Sequence, residues 1–124
     1  MKYSESLKKN NDFQLVYKTG TSYANRYLVM YLKENQLSRN RIGISVSKKV
    51  GNSVVRHRVK RLVKESYRLH EDIFNSGLNI VITARASAAS ISFEQMESAV
   101  LHLGRLHHIM KEETKTECEA DQSN

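Results

Sequence analysis

The stretch Ser53 to Leu69, SVVRHRVKRLVKESYRL, constrains the fold more than any other part of the chain. Wound as a helix at about 100° per residue, it places Val55, Val59, Leu62, Ser66 and Leu69 within about 40° of one line. That stripe is wide enough to dock on one neighbouring layer and no more. Arg56, His57, Lys60, Arg61, Lys64 and Arg68 fall on the outer side, between roughly 100° and 240° from Val55. Between Lys48 and Arg68 there are eight basic residues (Lys48, Lys49, Arg56, Arg58, Lys60, Arg61, Lys64, Arg68) and one acid, Glu65. The segment therefore carries the whole formal charge of +7, and the rest of the 124 residues balance at 12 basic against 12 acidic. The ordinary fate of a charge run is a solvated face. Such a face interleaves acids as i, i+4 partners, and here only Glu65 is available. Like charges crowded on one surface cost stability unless a polyanion neutralises them, so the segment points to nucleic acid, with an anionic membrane surface as the other polyanion.

The residues before this helix suit the same purpose. Gly51 allows a sharp turn, and Asn52 or Ser53 can cap the helix. Backbone N–H groups at the helix start would join Lys48 and Lys49 in holding phosphate. The GxxxxGK[ST] spacing of a nucleotide-hydrolysing loop is absent.

The remaining elements predict one small α+β domain. Asn11 to Lys18 reads as a helix capped by Asn10 or Asn11, with Phe13, Val16 and Tyr17 on one face and Gly20 as its stop. Ala24 to Leu32 reads as a strand with both faces apolar or aromatic, followed by a polar turn from Lys33 to Asn40. Arg41 to Ser47 alternates cleanly: Ile42, Ile44 and Val46 point to a core, while Gly43, Ser45 and Ser47 form a small polar face that is wet or holds a polar ligand. Leu78 to Arg85 supplies the next strand, so strand, basic helix and strand predict a parallel pair, right-handed by default. Ser92-Phe-Glu-Gln95 is a capping box with Ile91 and Met96 as a staple, and Met96, Val100, Leu103, Leu106 and Met110 mark the buried face of the last helix. The domain is expected over 1–110, with 111–124 as an acidic, disordered tail.

Several classes are disfavoured. One Cys makes no internal disulfide, no apolar run approaches the roughly 18 residues of a membrane span, and the opening MKYSESLKKNND lacks a signal-peptide core. A soluble cytoplasmic protein is expected. His102, His107 and His108 lack the i, i+4 spacing of a helical zinc pair, and Cys118 has no partner Cys. No catalytic residue and no protein-held metal is predicted. Phe13 and Tyr17, with Tyr27 and Tyr31, are either core or a platform on which single-stranded bases stack.

The segment RIGISVSKKVGNSVVRHRVKRLVKESYR, Arg41 to Arg68, resembles the signature of the bacterial ribonuclease P protein subunit, and DFQLVYKTGTSYANRYLVMY, from Asp12, resembles it too. The likeness covers most of residues 7 to 106; His57 departs from it, standing where the family usually has Asn. The resemblance implies an α+β fold of order α-β-β-(β)-α-β-α on a small mixed sheet of three to four strands. It also implies a left-handed crossover, as in the ribosomal protein S5 domain 2-like class. It implies a monomer that joins an RNA subunit, whose Mg²⁺ drives release of the 5′ leader from precursor tRNA. By carry-over, Asn52, Arg56, Arg58, Lys60 and Arg61 would contact the catalytic RNA. Lys48, Lys49, His57, Lys64 and Arg68 share that basic segment and join the expected RNA-subunit face. Phe13, Tyr17, Tyr31, Ser45 and Ser47 would line a cleft for the leader. The alternative is a non-catalytic module for structured RNA or a duplex, such as a ribosomal protein.

Overall fold

The computed structural model describes residues 4–109. Its strands are β1 (Ser4–Ser6), β2 (Thr21–Ala24), β3 (Leu28–Glu34), β4 (Asn40–Val46) and β5 (Leu78–Ala84). Its helices are α1 (Asn10–Thr19), α2 (Ser53–His70) and α3 (Phe93–Leu106), with short 3₁₀ turns at Glu71–Ile73 and Ala86–Ala88. The strands form one mixed sheet in the order β1-β4-β5-β3-β2. β4 and β5 run parallel across the α2 connection, as expected, and β1 runs parallel to β4. β3 lies antiparallel to β5, and β2 antiparallel to β3.

The sheet has five strands among the described residues, against an expected three to four. The single strand expected at Ala24 to Leu32 is two, because the Asn25 side chain makes a turn. Its Oδ1 accepts from the Tyr27 amide at 3.1 Å and the Leu28 amide at 2.9 Å, a local alternative to ladder pairing. β2, Thr21–Ala24, is thus a short strand of its own, antiparallel to β3. β1 went unseen because Ser-Glu-Ser carries no apolar alternation; it is held as an edge by pairing with β4. α1 starts after Lys9, whose side chain makes no cap, so Asn10 and Asn11 lie inside the first turn. The capping box of α3 is formed: Ser92 Oγ accepts from the Gln95 amide at 3.1 Å, and Gln95 Oε1 from the Ser92 amide at 2.9 Å. Met110 and the tail from Lys111 lie outside the described residues.

β5 is central and covered on both sides, so all of Leu78–Ala84 except Thr83 is buried. Leu28, Met30, Ile42, Ile80 and Ile82 pack beneath Val59, Val63 and Tyr67 of α2 and Met96, Val100 and Leu103 of α3. On the opposite face Val81 and Leu7 meet Val16 of α1, flanked by Phe13, Tyr17 and Tyr31. α2 sits rolled about 60° from the expected stripe: its buried residues are Val59, Val63, Ser66 and Tyr67, while Leu69 is 49% exposed. Tyr67 causes the roll. Its ring packs edge-on against Phe74 at 5.2 Å, and its hydroxyl bonds Ser4 Oγ at 2.7 Å and accepts from Asn40 Nδ2 at 3.1 Å. A large ring with a satisfied hydroxyl outweighs Leu69 at the margin of the stripe.

Candidate nucleic-acid interface

α2 begins where the sequence reading places it. Asn52 Oδ1 accepts from the Val55 amide at 3.0 Å, satisfying one of the free donors of the first turn. Gly51 is required by space: a Cβ there would stand 2.8 Å from Val55 Cγ1. Lys48 and Lys49 occupy the turn between β4 and α2, closed by the Val50 amide on the Ser47 carbonyl at 3.1 Å. Both lysines are exposed, as are His57, Lys60, Arg61 and Lys64. Among the described residues these five Lys and Arg side chains have no carboxylate within ion-pair distance.

Three basic residues of the segment are otherwise engaged. Arg68 holds Glu65 through two bonds, Nε to Oε2 at 3.0 Å and Nη2 to Oε1 at 2.8 Å. The pair pulls the Glu65 carboxyl below its usual range and lifts Arg68 above its own, so this end of the helix is locally neutral. Arg56 turns back, its Nε donating to the Gly51 carbonyl at 3.2 Å. Arg58 donates from Nη1 to the Ala89 carbonyl at 3.2 Å and from Nη2 to the Ile91 carbonyl at 2.8 Å. It fastens α2 to the segment that leads into α3.

On the opposite face of the sheet, α1 brings three aromatic residues together. Phe13 and Tyr17 have ring centroids 6.4 Å apart, and Tyr17 meets Tyr31 edge-on at 4.8 Å. All three are half-buried, so they pack on a small core and still show surface. Phe13 reaches across β4 because Gly43 has no side chain: a Cβ there would lie 2.5 Å from Phe13 Cζ. Part of the face expected to be wet is therefore roofed by an aromatic ring. Ser45 continues that face one row on, in register with Thr83 of β5. Thr83 Oγ1 is buried and has no hydrogen-bond partner among the described residues, leaving an open polar valence beside Ser45. The sequence reading missed Thr83; the alternation Asn79, Val81, Thr83 was the available signal. Ser47 lies beyond the end of β4, where its Oγ accepts from the Lys49 amide at 3.3 Å. It belongs to the turn into α2 and not to the aromatic cluster.

The two surfaces meet along one groove of about 420 Å³, lined by Ser6, Leu7, Lys8, Phe13, Lys60 and Lys64, among others. One wall is the aromatic edge of α1, and the other is the cationic side of α2. Lys8 and Leu7 were not anticipated as part of it, since nothing in the sequence indicates that β1 lies beside β4. No group of three or more His, Cys, Asp or Glu among the described residues is placed to hold a metal ion. The three late histidines diverge: His102 Nδ1 lies 3.2 Å from Asn25 Nδ2, His107 donates from Nε2 to the Met30 carbonyl at 2.9 Å, and His108 is exposed. No described helix is long and apolar enough to cross a membrane.

The family model for ribonuclease P matches residues 1–107. The ribonuclease P protein component of Lachnoclostridium phytofermentans is 60% identical over 107 residues, covering 86% of this chain and 92% of the relative. That of Alkaliphilus metalliredigens is 52% identical over 105 residues, covering 85% and 95%. Among solved structures, the Staphylococcus aureus RNase P protein superposes with a TM-score of 0.79 at 36% identity, covering 86% of this chain and 97% of that one. The Thermotoga maritima RNase P protein gives 0.75 at 30% identity, covering 82% and 96%. The likeness runs along nearly the whole described domain, in sequence and in fold, and the chain belongs to the ribonuclease P protein family, the protein component of the ribonucleoprotein that matures tRNA 5′ ends.

Proposed function

We propose that the outer face of α2 binds the catalytic RNA and that the face beneath α1 receives the single-stranded 5′ leader of precursor tRNA. The RNA-facing residues are Lys48, Lys49, Asn52, Arg56, His57, Lys60, Arg61 and Lys64. Arg58 and Arg68 support that surface through Ala89, Ile91 and Glu65. Phe13, Tyr17 and Tyr31 offer ring faces and edges to unpaired bases, with Ser45 as a nearby polar group. Ser47 acts through the turn that carries Lys48 and Lys49.

The observation that carries this reading is the separation of chemistries on two sides of one sheet. Unpaired ammonium and guanidinium groups suit a phosphate backbone, which they hold by counterion release. Half-buried aromatic rings suit single-stranded bases, which stack at roughly 1–3 kcal/mol each. The groove lined by Lys60, Lys64 and Phe13 adjoins both surfaces.

Mg²⁺ held by the RNA subunit would supply the hydrolytic chemistry in this reading. The protein binds, orients and screens charge, acting in the cytoplasm as a monomer until it assembles, with residues 1–110 as the single domain. Reconstitution tests the proposal. Cleavage of a leader-bearing precursor tRNA is expected from protein plus cognate RNA with Mg²⁺ and not from protein alone. Robust cleavage by the protein alone, abolished by substituting a histidine, would replace this reading with a protein nuclease.

A further inference from the structure

The turn between β2 and β3 is held more firmly than its exposure requires. Asn25 donates from Nδ2 to the Ala99 carbonyl at 3.0 Å, in addition to its two bonds from Tyr27 and Leu28. Arg85 donates from its amide to the Tyr27 carbonyl at 2.9 Å and from Nη1 to the Asn25 carbonyl at 3.1 Å. Ser87 Oγ donates to the Arg26 carbonyl at 2.6 Å. The turn is thereby fixed to both β5 and α3, with the Arg26 side chain left exposed.

Arg26 holds its guanidinium 5.7 Å from the centroid of the half-buried Tyr27 ring. Among the described residues it has no ion-pair partner. Beside the pair lies a groove of about 380 Å³, closed on the α3 side by Glu94, Gln95, Ser98 and His102. Its walls are mainly apolar ring and methylene surface. A planar cation, an aromatic ring, an imidazole and a carboxylate around such a groove match a nucleotide: the base stacks, the guanidinium meets the phosphate, and Glu94 accepts from an exocyclic amine.

The groove also continues the surface proposed for the RNA subunit. β4 and β5 are parallel, so α2 and α3 both begin at the end of the sheet where the β2–β3 turn lies. Arg58 ties α2 to Ile91, and Gln95 Nε2 stands 3.5 Å from the Tyr27 hydroxyl. An RNA strand leaving the start of α2 therefore reaches Arg26 across the first turn of α3.

We propose that Arg26, Tyr27 and His102 form a second contact for the RNA subunit, taking one unpaired nucleotide. This rests on the assignment of α2 to that RNA. The test compares wild type with Arg26→Ala, Arg26→Lys and Tyr27→Leu, and uses Lys60→Ala as a control on α2. Each is titrated with the RNA subunit over a range of salt, and the assembled holoenzymes are titrated with leader-bearing precursor tRNA. Thermal melting of each variant accompanies the titrations, because Tyr27 packs on the core and Arg26 does not.

Arg26→Ala is expected to weaken RNA-subunit binding by about tenfold and to lower the logarithmic salt slope by about 0.7, with melting unchanged. Arg26→Lys is expected to keep the slope and recover only part of the affinity, since an ammonium does not stack as a guanidinium does. Binding by Arg26→Ala within about twofold of wild type, while Lys60→Ala is weakened, overturns this contact and leaves the α2 assignment standing. Unchanged binding by both variants overturns the two together. A loss confined to the leader-bearing substrate also overturns it, by giving the groove to the leader.

Discussion

Arg58 stands in the middle of a cationic helix, yet its guanidinium is bound to two backbone carbonyls across a loop. A charged donor fixed on two backbone carbonyls contributes more than a solvated surface charge does, because hydrogen bonds from charged groups are the stronger ones. Arg58→Ala is expected to lower stability by about 2 kcal/mol in urea denaturation. The salt slope of RNA binding should change little, in contrast to Arg61→Ala. Gly43 is the second residue whose chemistry is set by a neighbour. A methyl group at this position meets Phe13 Cζ at 2.5 Å, so either α1 lifts or the ring swings out. Gly43→Ala is expected to cost about 1–3 kcal/mol and to weaken leader-bearing substrate more than RNA assembly, read by melting and by the two binding titrations.

At the scale of elements, α1 and α2 present different chemistries on the two faces of the sheet. α2 exposes a face where Glu65 is already taken by Arg68, so Lys60, Arg61 and Lys64 have no acid on their own helix to answer them. α1 is amphipathic in a different sense: Val16 is sealed, while Phe13 and Tyr17 remain half open. Substitutions in the two helices should therefore separate. Arg61→Ala is expected to weaken the RNA subunit and to flatten its salt dependence by about 0.9 per lost phosphate contact on a duplex. Tyr17→Ala is expected to leave assembly intact and to weaken leader-bearing substrate by roughly 1–3 kcal/mol. Loss of folding alone in either variant, seen by circular dichroism, would assign that side chain to packing.

For the molecule as a whole, the sheet has a chemical polarity. The ends of β4 and β5 that lead into α2 and α3 carry Lys48, Lys49 and Arg85, with Arg26 in the adjacent turn, and Glu94 as the nearby acid in the groove. The far end of the sheet is held by Glu5 with Arg39 at 2.9 Å and by the bonds among Asn40, Tyr67 and Ser4. The close of α3 adds a pH-sensitive tie. Burial pushes the His107 pKa below its usual 6.5, and the neighbouring His108 lowers it further, while its bond to the Met30 carbonyl acts in the opposite direction. The folded value is depressed, so the unfolded chain binds the proton first. The stability from neutral His107 is present above about 6.5 and is lost as pH falls through the folded value. His107→Gln keeps a donor for Met30 without the titration. The difference in melting temperature between wild type and His107→Gln is expected to shrink as pH drops from 7 toward about 5.

The amino-acid sequence by itself determined the elements whose signals are local. The basic helix, the capping box of α3 and the strand β4 each follow from spacing within a few residues, and the order strand–helix–strand gave the parallel β4–α2–β5 unit; all four form close to where those patterns put them, although the face of β4 expected to be wet is partly roofed by Phe13. The signature running from Arg41 to Arg68 also carried the family, because its basic positions are spaced by the helix itself. What only the tertiary structure decided depends on neighbours distant in sequence. β1 exists because β4 offers an open edge, and α2 rolls because Tyr67 finds Phe74, Ser4 and Asn40. Arg58 faces Ala89 and Ile91, 31 and 33 residues on, which no helical wheel can show. The same holds for Phe13 over Gly43 and for Thr83 beside Ser45: local periodicity chooses a face, and long-range packing chooses what that face meets.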